Sequence, residues 1–137
     1  MVRKDFIERE LAKHAVALAR LMNKMQNFEY EELRLDIDEA LTGVALYTAN
    51  QLRDIDAELM FDDLVSNQKL SHQRISFVAE LLYFRTQTAV ETHEDKAVIA
   101  AFAYKTMLLL QHVERQETVI FSVERRTKII RMKRLLL

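Results

Sequence analysis

Apolar positions along this chain recur at steps of three and four, the period of an α-helix and not of a strand. Ile7, Leu11, His14, Leu18, Leu21 and Met25 form one such seam, widened by Phe6, Ala15, Ala17 and Met22. Arg9, Lys13, Arg20 and Lys24 lie elsewhere on the wheel, so the spacing predicts a helix from about Lys4 to Met25. A second helix begins near Glu29, with acids in the first turn where the helix dipole favours them. It carries Leu33, Ile37, Ala40, Leu41 and Val44 through Thr42-Gly43 to about Tyr47. A third, capped near Asn50 or Asp54, carries Leu52, Ile55, Leu59, Met60, Leu64 and Val65 and stops at Ser66-Asn67-Gln68.

Ser71 is a good N-cap for a fourth helix. Ile75, Val78 and Leu82 lie on one side of it and Phe77, Leu81 and Phe84 on another. So wide an apolar sector implies a central helix with several neighbours. Thr92-His93-Glu94-Asp95 marks the next junction. The fifth helix, about Asp95 to Val113, is apolar nearly all round and is expected to be the most buried. The charged run Glu114-Arg115-Gln116-Glu117 separates it from a sixth, about Thr118 to Leu135, unless one helix runs through. Short connections make neighbours antiparallel. The expectation is a single all-α domain over residues 1–137, with about six antiparallel helices in a bundle or a short stack of helical hairpins.

Composition sharpens this picture. The 137 residues include no proline, no cysteine and one glycine, Gly43. Long helices can therefore run uninterrupted, and turns are expected to use Asn, Asp, Ser, Thr and charged residues. Half the residues are hydrophobic and 30% are charged, the profile of a folded domain. Without cysteine there are no disulfides and no thiolate metal sites. The longest nearly apolar run, Ala97 to Leu110, contains Lys105 and is too short to cross a bilayer. No secretory hydrophobic stretch follows Arg3 and Lys4, so a cytoplasmic location is expected.

Net charge is −1, but it is segregated. Residues 29–63 hold eleven acids against two bases, residues 123–137 six bases against one acid, and residues 1–28 six bases against three acids. A basic–acidic–basic order suggests that the ends face the middle, within one molecule or across a dimer.

Candidate chemistry is sparse. Glu10 and His14 share a helix face at i and i+4, but one such pair is no metal site, and neither Glu-x-x-His nor His-Glu-x-x-His occurs. His14 reads as a core-edge residue bonded to a neighbour. His93 reads as a cap at a helix start, His112 as a donor to terminal carbonyls, and His72 as solvated. One glycine excludes every Gly-rich phosphate loop, and no serine sits in a nucleophile elbow. The paired carboxylates (Asp36 and Asp38, Asp54 and Asp56, Asp62 and Asp63) fall on different helix faces. The expectation is therefore no enzyme, no catalytic residue, no cofactor and no metal. The basic cluster Arg125, Arg126, Lys128, Arg131, Lys133 and Arg134 is the candidate interaction surface. Nucleic acid is possible there and not favoured, because no aromatic is interleaved and the chain is acidic overall.

Residues 100–137, with small Ala100, Ala101 and Ala103 at close-contact positions and large residues beside them, resemble the terminal hairpin of tetratricopeptide-like bacterial helical proteins. The glycine and proline of that pattern are absent here. The resemblance implies a scaffold that binds another chain. Together with the split charge and the surplus apolar positions at both ends, it leads to a protein–protein interaction role with self-association, most simply as a homodimer. The alternative is a nucleic-acid-binding accessory protein that uses the last helix.

Overall fold

A computed structural model describes residues 2–117 and 122–137. Its helices are α1 (Val2–Gln26), α2 (Tyr30–Ala45), α3 (Ala49–Asp54), α4 (Ala57–Phe61), α5 (His72–Glu91), α6 (Lys96–Gln116) and α7 (Val123–Leu135). A π-helical turn, Asp62–Asn67, continues α4. No strand occurs among the described residues. The all-α class read from the spacing is correct, and α1, α2, α5 and α6 fall close to their expected positions.

Helix α5 is the axis, packed by α1, α2 and α6. Sequential long helices are antiparallel: Lys24 of α1 reaches Asp36 of α2, and Arg126 of α7 lies 3.4 Å from Glu114 of α6. Flanking helices that are not sequential run parallel to the axis. Along α1 the partners on α5 rise from Glu10–Arg74 to His14–Phe77, and along α7 they rise from Lys128–Glu80 to Arg131–Tyr83. Leu33, Ile37 and Leu41 of α2, Val78, Leu81 and Leu82 of α5, and Phe102 and Leu109 of α6 form the fully buried centre.

The most buried helix is α5 and not the more apolar α6: twelve of its twenty residues are buried, against seven of twenty-one in α6. Polar residues do not keep α5 out of the core, because each finds an internal partner. Thr86 and Thr88 donate to Leu82 O and Phe84 O, both at 2.8 Å, and Arg85 binds Glu94 through two nitrogens at 2.7 and 3.0 Å.

The expected third helix is three pieces. Thr48 and Asp56, not Asn50 or Asp54, are the N-caps: Thr48 forms a capping box with Gln51, and Asp56 accepts from Glu58 N at 2.9 Å. Between them the chain is extended at Ile55, which ends α3. Buried Lys105 of α6, 5% exposed, donates to Leu52 O at 2.9 Å, Arg53 O at 3.0 Å and Ile55 O, supplying the donors that the end of α3 lacks. Helices α2 and α3 are separate, because left-handed Leu46 ends α2 and Thr48 caps α3, and so are α6 and α7: Glu117 is extended, and Ser122 caps α7 by accepting from Arg125 N. The expected start of the last helix, residues 118–121, lies outside the described residues.

The left-handed turns are made without glycine. Phe28, Leu46, Lys69 and His93 all have positive φ, and each follows a helical segment. The expectation of short polar and charged turn residues fails at Phe28, Leu46 and His93. After α5, His93 N–H donates to Val90 O and Glu94 N–H to Ala89 O, a Schellman pair; Phe28 and Glu29 repeat it on Met25 O and Lys24 O. His93 thus closes α5 and does not open α6, whose N-cap is Asp95. Gly43 sits within the last turn of α2, where an added Cβ would meet nothing within 4 Å, so neither a break nor a close contact accounts for it.

Candidate interaction surfaces

The six bases of α7 divide by position on the helix. Arg125 pairs with Glu117 at 2.5 Å, Arg126 with Glu114 at 3.4 Å, and Lys128 with Glu80 at 2.5 Å and Glu124 at 3.2 Å. Arg131 donates to the Tyr83 hydroxyl at 2.9 Å. Lys133 and Arg134 are exposed and have no ion-pair partner among the described residues. The first four bases dock the helix on α5 and α6. Their partners lie outside the acidic stretch 29–63, so the basic C-terminus does not pair with the acidic middle inside one molecule. Among the described side chains of the N-terminal side, Lys24 alone does so, on Glu32 and Asp36.

The histidines are absorbed by packing. His14 stacks on Phe77 with ring centroids 4.0 Å apart and lies 3.8 Å from Glu10, as expected for a core-edge residue. Burial pushes its pKa down, against the pull of Glu10. His72 is not simply solvated: its Nε2 lies 3.0 Å from Glu117 Oε1. His112 packs on Phe61 at 5.3 Å, and burial lowers its pKa too. Among the described residues, no three His, Asp or Glu side chains converge in a way that could hold a metal ion.

The carboxylates are similarly occupied. Glu94 sits between Arg85 and Arg34, and the Arg85 hydrogen bonds hold its pKa below the usual carboxylate range. Asp63 accepts from Tyr47 at 2.5 Å, Gln68 at 3.0 Å and Asn67 at 3.3 Å, which pins the π-helical turn to the end of α2 and lowers its pKa.

Two surfaces keep apolar side chains that the described residues cover only in part. One is the first half of α1. Phe6 is 55% exposed, Leu11 44% and Val16 62%, and Leu21 is the one fully buried residue among the described side chains of the whole helix. The seam that predicted this helix runs on past the body that it packs against.

The other is a groove between α1 and α7 with α5 as its floor. Its widest part, about 570 Å³, lies between Met22 and Met25 of α1, Tyr83 and Val90 of α5, and Met132 and Leu135 of α7. Phe28 and Tyr30 close one end. Arg131, Arg134 and Glu91 supply its charges. It continues along α5 beside Phe84 and Glu80. Tyr83 is buried, its ring lies 5.1 Å from Lys128 Nζ, and its oxygen accepts from Arg131. Sequence reading placed Met22 on the flank of the first seam and left Tyr83 unremarked. The signal for this groove is a tyrosine within an otherwise apolar sector, facing a helix with bases on one side. No family model matches the chain, and no curated protein or solved structure matches it either.

Proposed function

We propose that this chain is a non-enzymatic helical interaction protein that associates with a second copy of itself through the first half of α1. The observation that carries the reading is the exposed Phe6, Ile7 and Leu11, neighbours on one side of a helix long enough to form a docking arm. Surface area supports it. The folded chain exposes 8453 Å², whereas scaling for a monomer of 16.1 kDa gives roughly 7,400 Å². The surplus of about 1,000 Å² is close to one partner's share of a standard interface.

Charge supports a like partner. Asp5 and Glu8 alternate with Lys4, Arg9 and Lys13, so a second arm offers opposite signs to both sets. The tetratricopeptide resemblance of residues 100–137 points the same way. The nucleic-acid reading has less support, because Arg125, Arg126, Lys128 and Arg131 are already engaged within the chain. Light scattering at micromolar concentration tests the proposal. The expected mass is twice 16.1 kDa, falling to that of one chain in a Phe6→Ser, Ile7→Ser, Leu11→Ser variant. A wild-type protein that stays monomeric would overturn it.

A further inference from the structure

We infer that the groove between α1 and α7 is a binding site for a small amphipathic carboxylate, with its head on the Tyr83–Arg131 pair and its apolar body between the methionines. This does not rest on self-association, which uses a different stretch of α1.

The polar end is built before any ligand arrives. Arg131 donates to the Tyr83 oxygen at 2.9 Å, which leaves the hydroxyl proton of a buried tyrosine with no acceptor among the described residues. Lys128 lies over the ring of the same tyrosine. A carboxylate beside Tyr83 receives that proton in a hydrogen bond and meets the remaining donors of Arg131 in a planar, two-point contact. Arg134 adds a second cation and Glu91 one opposing charge, so the widest part of the groove has a net charge near +1. That balance suits a single negative charge better than a phosphate dianion.

The other walls are mainly apolar, with the Gln87 amide and the Tyr30 ring among them. Met22, Met25 and Met132 surround the body of the ligand with unbranched, polarisable side chains that adapt to flexible shapes. The volume of about 570 Å³ falls within the range of small-molecule sites. An acyl or arylalkyl chain fits the methionine-rich part of this lining.

Dodecanoate, held below its micellar concentration, is the probe, with dodecanol as its neutral counterpart. Methyl-labelled methionine NMR reads the site directly. The expected result is saturable shifts at Met22, Met25 and Met132 and none at fully buried Met60. Tyr83→Phe and Arg131→Gln should each weaken dodecanoate about tenfold and leave dodecanol unchanged. Circular dichroism checks that both variants stay folded, and Arg134→Gln, at an exposed position, gives a further weakening that cannot come from misfolding. Equal affinity for acid and alcohol, shifts confined to α1 residues outside the groove, or absence of saturation would overturn the assignment. So would shifts of the same three methyls on concentrating the protein alone, which would make the groove a contact between copies.

Discussion

Helices α1 and α5 are written in the same periodic pattern and meet opposite fates. Both carry apolar residues at steps of three and four. In α5 the pattern is matched by α1, α2 and α6, and twelve residues are buried; in α1 it is covered from Leu18 onwards but outruns its neighbours on the N-terminal side of His14, where Phe6, Ile7 and Leu11 are exposed. Periodicity reports which face of a helix is apolar. Whether that face is covered depends on how many neighbours reach it, which is a property of the whole chain and of its partners.

The sharpest way to break the comparison is to truncate matched leucines. Leu81→Ala in α5 empties a fully buried site and should cost about 3 kcal/mol in chemical denaturation. Leu11→Ala in α1 should cost about 1 kcal/mol or less in dilute protein, because its side chain is 44% exposed and leaves no enclosed cavity. Similar costs for the two would mean that α1 is as well packed as α5.

Lys105→Met should cost about 2 kcal/mol, since it leaves the carbonyls at the end of α3 without their donor. Burial pushes the lysine pKa down from its ordinary value, yet the three carbonyls hold the ammonium in place. An unchanged unfolding midpoint would show that water caps α3 equally well.

A pH series reads the burial of α1 against that of α6 more gently. Burial depresses His14 on α1 and His112 on α6, so the unfolded chain binds protons more readily than the folded one. Stability from these groups is complete above the unfolded value of about 6.5 and declines as pH falls below it towards the folded values. The melting temperature should drop between about pH 7 and pH 5, and His14→Gln should flatten part of that slope. Carboxylates act further down: Glu10, held low by Arg74, and Glu94, held low by Arg85, lose their contribution as pH falls through their depressed values. A melting temperature that rises over the first interval would reverse the sign assigned to the histidines.

The smallest effects come from the missing glycines. His93→Gly and Lys69→Gly relieve left-handed backbone at exposed positions and should each stabilise by about 1 kcal/mol. Gly43→Ala should add a similar amount, with open space around the new methyl. A loss of stability at any of the three, measured by denaturant titration, would point to a contact outside the single chain.

Much of the fold was legible because helix periodicity is local. The Ser71 cap, the central position of α5 and the junction at residues 92–95 all follow from a few adjacent residues. What was not legible depends on distance. The break at Ile55 is closed by a lysine fifty residues later, and the cap role of Asp56 becomes visible only once that break exists. The bases of α7 were visible as a charge run, but their division into docking residues and free residues depends on Glu80, Glu114 and Glu117 on other helices. The groove is built from α1, α5 and α7 together, so no window of sequence contains it.

Amide hydrogen exchange across residues 4–16, followed as a function of protein concentration, tests most directly whether the first half of α1 is a contact between copies. The account predicts fast exchange in dilute solution, slowing as the concentration rises, while the amides of α5 stay constant. Exchange in α1 that is independent of concentration would contradict it.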